Sequence, residues 1–118
     1  MADLLEEDLS IVERHAFNLA QAGIHLDQAR LGGNDYGVLA QALEHNLQVW
    51  MEIGILIKSP ESQLEENVRD NILKLRDFIS DMTMKHGVDI REKTLNTLIN
   101  INLQISEGLL EGARSRDG

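Results

Sequence analysis

The sequence predicts an all-α fold, a single-domain bundle of four mostly antiparallel helices. Hydrophobic residues make up 42% of the 118 residues but aromatic residues only 3%, so Leu, Ile, Val and Ala must build the core. That palette, together with a single Pro, favours helices over sheets. Apolar residues recur at helical spacing in four segments with short connections, which is typical of an antiparallel helical bundle.

The first helix is predicted to run from about residue 4 to residue 31. Its apolar stripe consists of Leu5, Leu9, Val12, Ala16, Leu19, Ala20 and Leu26. Gly23 lies on the same stripe, where a Gly costs up to ~1 kcal/mol relative to Ala. Close approach of another helix would compensate for that cost. The helix is expected to end at the turn residues Gly32-Gly33-Asn34-Asp35.

The second helix is predicted over residues 36–58 and contains the most apolar stretch of the chain. Its apolar face is formed by Leu39, Ala42, Leu43, Trp50, Ile53 and Ile57. Asn46 falls in the middle of this face, whereas Met51 and Ile55 lie away from it. Because the helix is apolar beyond one face and carries the only Trp, we expect the other helices to pack around it.

The third helix is predicted over residues 60–86, capped by Ser59 with Pro60 at its first position. Its stripe consists of Leu64, Val68, Ile72, Leu75, Phe78, Ile79 and Met82. The fourth helix is predicted over residues 90–112, preceded by an Asp89-Ile90-Arg91-Glu92 capping box. Its wide apolar arc consists of Leu95, Leu98, Ile99, Ile101, Leu103, Ile105, Leu109 and Leu110. The bundle domain is expected to span residues 1–113, with a flexible tail at residues 114–118.

Two asparagines, Asn46 and Asn102, occupy the centres of the apolar faces of the second and fourth helices. An unpaired Asn in such a place costs about 1–3 kcal/mol. In one interpretation each is hydrogen-bonded inside the bundle and fixes the helix register. In the other, one or both face a groove and bind the backbone of a partner helix. Met51, Ile55 and Leu73 are the better candidates for an exposed apolar surface, because they lie off their stripes.

Composition excludes several classes of function. The chain has no Cys, which removes disulfides, thiolate nucleophiles and Cys-ligated metals. None of its four His residues follows Glu or Asp by three or four positions, and no nucleophile-elbow motif occurs, so we expect no metal, no cofactor and no enzyme activity. A small enzyme with scattered site residues is the remaining alternative.

Charge and hydropathy limit the partners. A net charge of -9 argues against direct binding to nucleic acid or to an anionic membrane surface. The N-terminus lacks the features of a signal peptide, and no run approaches the roughly 20 apolar residues of a membrane span. We therefore expect a cytoplasmic protein without membrane insertion.

Two stretches resemble a known family. Residues 42–50, Ala-Leu-Glu-His-Asn-Leu-Gln-Val-Trp, resemble the Ala-Leu-x-x-Asn-x-x-x-Trp segment of the alphaproteobacterial FlaF family of flagellar biosynthesis regulators. Residues 98–109 are similar to that family's closing Leu-Ile-x-x-Asn-x-x-Ile-x-x-Gly-Leu. The first helix, with Glu13-Arg14-His15-Ala16-Phe17, and the Gly-Gly loop also agree, so the resemblance covers nearly the whole chain.

The resemblance implies a non-enzymatic role in flagellin synthesis and export. Proteins of this family are associated with flagellin as secretion chaperones, and they act alongside FlbT, a regulator of flagellin messenger RNA. We expect a helix-in-groove surface on the second and fourth helices. The residues predicted to line or support it are Asn46, Trp50, Met51, Ile53, Ile55, Ile57, Asn102, Ile105, Gly108 and Leu109. The alternatives are regulation of flagellin messenger RNA, directly or through FlbT, and burial of the fourth helix against a second copy.

Overall fold

The structure, a computed structural model, describes residues 11–32, 35–58 and 64–117, with side chains up to residue 112. These residues form α1 (Ile11–Leu31), α2 (Tyr36–Ile57), α3 (Glu66–His86), a 3-10 turn (Gly87–Asp89) and α4 (Glu92–Asp117). They contain no strand, and the prediction of an all-α bundle of four helices is confirmed.

The helices alternate in direction. Ala16 and Arg30 of α1 contact Ser106 and Glu92 of α4, so α1 and α4 run antiparallel. His25 of α1 contacts His45 of α2, and a short connection joins the two helices. Asp35 caps the N-terminus of α2 by accepting a hydrogen bond from the Val38 amide. Each helix therefore runs against its neighbour, and α2 and α4 run in the same direction.

Small residues make α1 the helix with the most extensive packing. Four of its six buried residues are Ala or Gly, and its backbone packs closely against both α4 and α2. A Cβ added at Gly23 would lie 3.3 Å from the Cβ of Asn102, which shows the close approach that was predicted to explain this Gly. The expectation that the other helices pack around α2 holds only in part. Trp50 is the largest fully buried side chain, but α4 packs mainly on α1.

The α3 boundary differs from the prediction. Leu64 and Glu65 precede the helix, which begins at Glu66, whereas the predicted start was residue 60. Glu65 occupies the N-cap position in an extended conformation. The predicted cap Ser59 and Pro60 lie outside the described residues, as do the residues 4–10 that were assigned to the first helix.

Both ends of α4 also differ from the prediction. Asp89 lies in the 3-10 turn and the helix begins at Glu92, so the predicted capping box with a start at residue 90 is wrong. Gly87 enters this turn with φ of 51°, and the Ile90 amide bonds back to the Gly87 carbonyl. At the other end the helix continues to Asp117, and the predicted flexible tail is helical to that point. Ala and Arg, which are strong helix formers, offset the two glycines near this end.

Helix α3 is the least buried of the four. Within its described residues only Ile72 and Ile79 are buried, and both Val68 and Phe78 of the predicted stripe are 38% exposed. It packs on α2, where the Arg76 side chain lies over Gly54, and its backbone scarcely approaches α4. The α3–α4 side of the bundle is therefore open.

Candidate functional site

A buried hydrogen-bond network joins α2, α4 and α1 at the centre of the bundle. The Trp50 Nε1–H group donates to Asn102 Oδ1 at 3.0 Å. The Asn102 Nδ2 group donates to the Leu19 carbonyl oxygen at 3.0 Å and to Asn46 Oδ1 at 2.7 Å. All three side chains are fully buried. Asn46, Trp50 and Asn102 therefore lie in the interior of the bundle, and their side-chain hydrogen bonds link three helices.

The two asparagines differ in how completely they are paired. Asn102 uses both of its Nδ2 hydrogens and its Oδ1 oxygen. Asn46 Nδ2 is buried and has no hydrogen-bond partner among the described residues. Asn102 is the centre of the network, because its loss would leave the Trp50 N–H group and the Asn46 Oδ1 atom of α2 without the partner that it provides. A second polar link lies one turn further along α4, where the Ser106 hydroxyl donates to the Ala16 carbonyl.

The titratable side chain of His15 lies on α1, next to Ala16 in the sequence. Burial lowers the pKa of His15, and the nearby charge of Glu52 on α2 partly opposes that effect. The His15 Nδ1 atom is buried without a hydrogen-bond partner in the part of the chain that the structure describes. The folded state therefore favours the neutral imidazole at this position.

An open groove runs between α3 and the second half of α4, with a volume of about 610 Å³. Its apolar surface comes from Leu64, Val68, Ile72, Ile105 and Leu109. Its polar lining consists of Glu65, Asn67, Asn71 and Gln104. Gly108 and Gly112 form part of the α4 wall, and a Cβ added at Gly108 would have no described neighbour within 4 Å. The groove thus has both apolar and polar lining, and its two glycines leave part of the α4 wall without side chains.

The residues singled out from the sequence fall into three places. Ile53 and Ile57 are buried in the core beside Trp50 and the two asparagines. Ile105, Gly108 and Leu109 line the groove on its α4 side. Met51 and Ile55 lie on the outer face of α2, with Ile55 75% exposed, and neither lines the groove. The groove therefore lies between α3 and α4, whereas a helix-in-groove surface was expected on the second and fourth helices.

Two features could not be derived from the sequence. The α3 wall of the groove comes from the apolar stripe of α3, which was predicted to be core. The sequence does not show that α4 leaves part of this stripe uncovered, because the helical spacing is the same in both cases. His25 and His45 lie side by side, with their Nδ1 atoms 3.0 Å apart. Their pairing depends on the α1–α2 register, and the only signal was that both occur on amphipathic helices joined by a short turn.

Among the described residues, no group of three or more His, Asp or Glu side chains could hold a metal ion. None of the described helices has the combination of length and hydropathy that a membrane span requires.

Comparison with known families gives one match. The sequence model of a family described as flagellar protein FlaF matches residues 7–109. That range contains the whole buried network and both walls of the groove up to Leu109. No curated protein and no solved structure matches the chain. Because the family match covers most of the 118 residues, the chain belongs to the FlaF family of flagellar proteins.

Proposed function

We propose that this protein binds flagellin in the cytoplasm as a secretion chaperone and takes an amphipathic flagellin helix into the groove between α3 and α4. The family match supports a flagellar role, and the sequence resemblance supplies flagellin as the partner. The observation that carries the mechanism is the open groove between α3 and α4, which has an apolar surface. The role is one of binding and needs no catalytic residue.

The shape of the groove suits a helix. Amphipathic helices bind in grooves through apolar side chains at positions i, i+3, i+4 and i+7. Two antiparallel helices form the walls, and the partly exposed Leu64 and Ile105 side chains present an apolar surface. Ile72 and Leu109 lie beneath it as buried side chains. Gly108 lets the backbone of a bound helix come close, because it has no side chain on that wall. Docking would also cover Val68, which is 38% exposed.

The polar lining suits reversible binding. Asn67, Asn71 and Gln104 carry amides that both donate and accept hydrogen bonds, so they can pair with polar groups on a bound helix. Such a surface, apolar in the middle and polar at the edge, is typical of non-obligate interfaces. The net charge of -9 would keep the complex of chaperone and flagellin soluble before export.

Size-exclusion chromatography with light scattering tests the proposal. The protein is mixed with flagellin from the same genome, and a 1:1 complex is expected. Val68→Asp places a carboxylate in the groove and should weaken binding by about tenfold or more, because burying an unpaired charge is costly. Ile24→Asp is the matched control, since Ile24 is also an exposed aliphatic residue on a helix but does not line the groove.

Three results would contradict the proposal in different ways. Absence of a complex at concentrations well above micromolar would exclude direct flagellin binding. Equal loss of binding in both variants would place the interface outside the groove. A complex with the flagellin 5′ untranslated RNA but none with flagellin would favour regulation of messenger RNA, and parallel mixing with FlbT would show whether that regulation is indirect.

A further inference from the structure

Two histidines meet on the face formed by α1 and α2. His25 and His45 are separated by 20 residues in the chain, and the antiparallel register brings their Nδ1 atoms to 3.0 Å. The ring centroids are 5.0 Å apart and the planes are inclined at 45°. Both side chains are partly buried, so they are held by the helices and can still be reached from solvent.

The pair opens onto a concavity of about 500 Å³ that is separate from the α3–α4 groove. Apart from the histidines, its lining consists of Gln21, Gln28, Val38, Gln41 and Ala42. Gln21 precedes His25 by four residues, and Gln41 precedes His45 by four residues, so each amide is on the same helical face as its histidine. The concavity thus brings together two imidazoles and three amide oxygens without a carboxylate.

We propose that His25 and His45 form a binding site for a divalent transition-metal ion, Cu²⁺ or Ni²⁺, that links α1 to α2. Imidazole nitrogen is a favoured ligand of these ions. Two Nδ1 atoms this close can both reach one ion at metal–nitrogen bond lengths of about 2.0–2.1 Å once the rings have turned. Both ions accept a tetragonal set of nitrogen and oxygen ligands, and Cu²⁺ stands highest in the general order of affinity among first-row divalent metals.

Binding requires the donor ring to change tautomer and both rings to turn. In the hydrogen-bonded pair, one Nδ1 atom carries the shared hydrogen and the other accepts it. When the ion binds, the Nδ1 proton of the donor ring leaves to solvent and the Nε2 atom of that ring takes up a proton, so both imidazoles stay neutral. Both Nδ1 lone pairs then turn from each other toward the concavity. Amide oxygens of Gln21, Gln28 or Gln41, or water, complete the coordination.

The site would act as a clamp between two helices. An ion that binds the folded chain and not the unfolded chain stabilises the fold in proportion to its free concentration. The proposal is independent of flagellin binding, because neither His25 nor His45 lines the groove.

Calorimetric titration of the full chain with NiCl₂ tests the site, with CuCl₂ and electron paramagnetic resonance as a second measurement. We expect one ion per chain and a higher thermal midpoint. In the His25→Gln and His45→Gln variants, binding should weaken by more than about tenfold, which is the smallest loss usual even for outer-shell changes. His86→Gln is the control, because His86 is a partly buried histidine on α3, away from the pair.

The Cu²⁺ spectrum keeps the proposal testable if a variant fails to fold. The unmodified protein should give a tetragonal signal with coupling to two imidazole nitrogens. Affinity that is unchanged in folded His25→Gln and His45→Gln variants would overturn the proposal, as would equal loss in His86→Gln. A Cu²⁺ signal with one coupled imidazole, or no bound ion at millimolar concentration, would also overturn it.

Discussion

Replacing Asn102 with Leu should be among the most destabilising single changes in the bundle. Leu has nearly the shape of Asn but cannot hydrogen-bond, so the Trp50 N–H group and the Asn46 Oδ1 atom would each lose the partner that the structure gives them. A buried polar group left unpaired costs about 1–3 kcal/mol, so two such groups cost about 2–6 kcal/mol. Burying the added apolar surface returns about 1–2 kcal/mol. The expected net loss in unfolding free energy is about 3 kcal/mol.

The companion change at Asn46 should cost much less. Asn46→Leu removes an Nδ2 group that is already unpaired, and Asn102 keeps its bonds to Trp50 and to the Leu19 carbonyl. We expect a loss of about 1 kcal/mol or less, since one Asn102 hydrogen loses its acceptor while one unpaired group disappears. In the double variant only the Trp50 N–H remains unpaired. That variant should therefore be no less stable than Asn102→Leu alone.

Urea unfolding followed by the fluorescence of Trp50, the only Trp in the chain, measures all four stabilities. The double-mutant cycle should give a coupling energy of about 1–3 kcal/mol, with the double change costing less than the sum of the singles. Circular dichroism provides the parallel measurement, because changes at Asn102 alter the surroundings of the fluorophore. Additive losses, or a larger loss for Asn46→Leu than for Asn102→Leu, would refute the assigned network.

Three other changes have outcomes that follow from the structure. Gly23→Ala should destabilise the fold by about 1–3 kcal/mol in urea unfolding, because its methyl group would meet the Asn102 Cβ at 3.3 Å, and a neutral result would contradict the close α1–α4 approach. Gly108→Ala should stabilise the fold by about 0.5–1 kcal/mol, because the added methyl group has no described neighbour within 4 Å and Ala favours the helix. The same substitution should weaken flagellin binding, because the methyl group narrows the groove. Stability should fall as pH drops below about 6.5, because burial lowers the pKa of His15 in the folded state and the unfolded chain then binds more protons. His15→Gln should reduce that fall between pH 7.5 and pH 5.5, and an unchanged slope would show that other groups cause it.

The folded-state pKa of His15 lies below its unfolded value of 6.5, because desolvation outweighs the attraction of Glu52. Above pH 6.5 both states are neutral at this position, so its contribution is constant. Between pH 6.5 and the folded pKa, protonation favours the unfolded chain, and the stability of the fold decreases in that window.

Periodicity alone was enough to locate the buried face of α2. The stripe that carries Trp50, Ile53 and Ile57 is buried, while Met51 and Ile55, which lie off the stripe, are exposed. Helical spacing fixes which side chains share a face, and the richest face is the one that packs. The same reasoning identified Gly23 as a point of close helix approach, because a Gly on a buried stripe has no other use there.

The register between α1 and α2, and the failure of α3 to pack on α4, could not be predicted from the sequence. The α3 stripe has ordinary core spacing, yet Val68 and Phe78 stay partly exposed because α3 packs on α2 without closing on α4. The His25–His45 contact likewise depends on how far α2 slides along α1. Helix α4 begins at Glu92, two residues later than predicted. Asp89, which was predicted to cap the helix, instead lies in the 3-10 turn that Gly87 enters at positive φ. These properties depend on contacts between helices that are distant in sequence.

The central proposal is that flagellin occupies the α3–α4 groove, and amide chemical-shift mapping tests it most directly. Isotope-labelled protein would be titrated with unlabelled flagellin, and the shifted or broadened amides assigned along the chain. We expect the changes to concentrate in residues 64–72 and 104–112, and the outer face of α1 around Ile24 to be unaffected. Changes confined to α1 and α2, with the groove residues unperturbed, would contradict it.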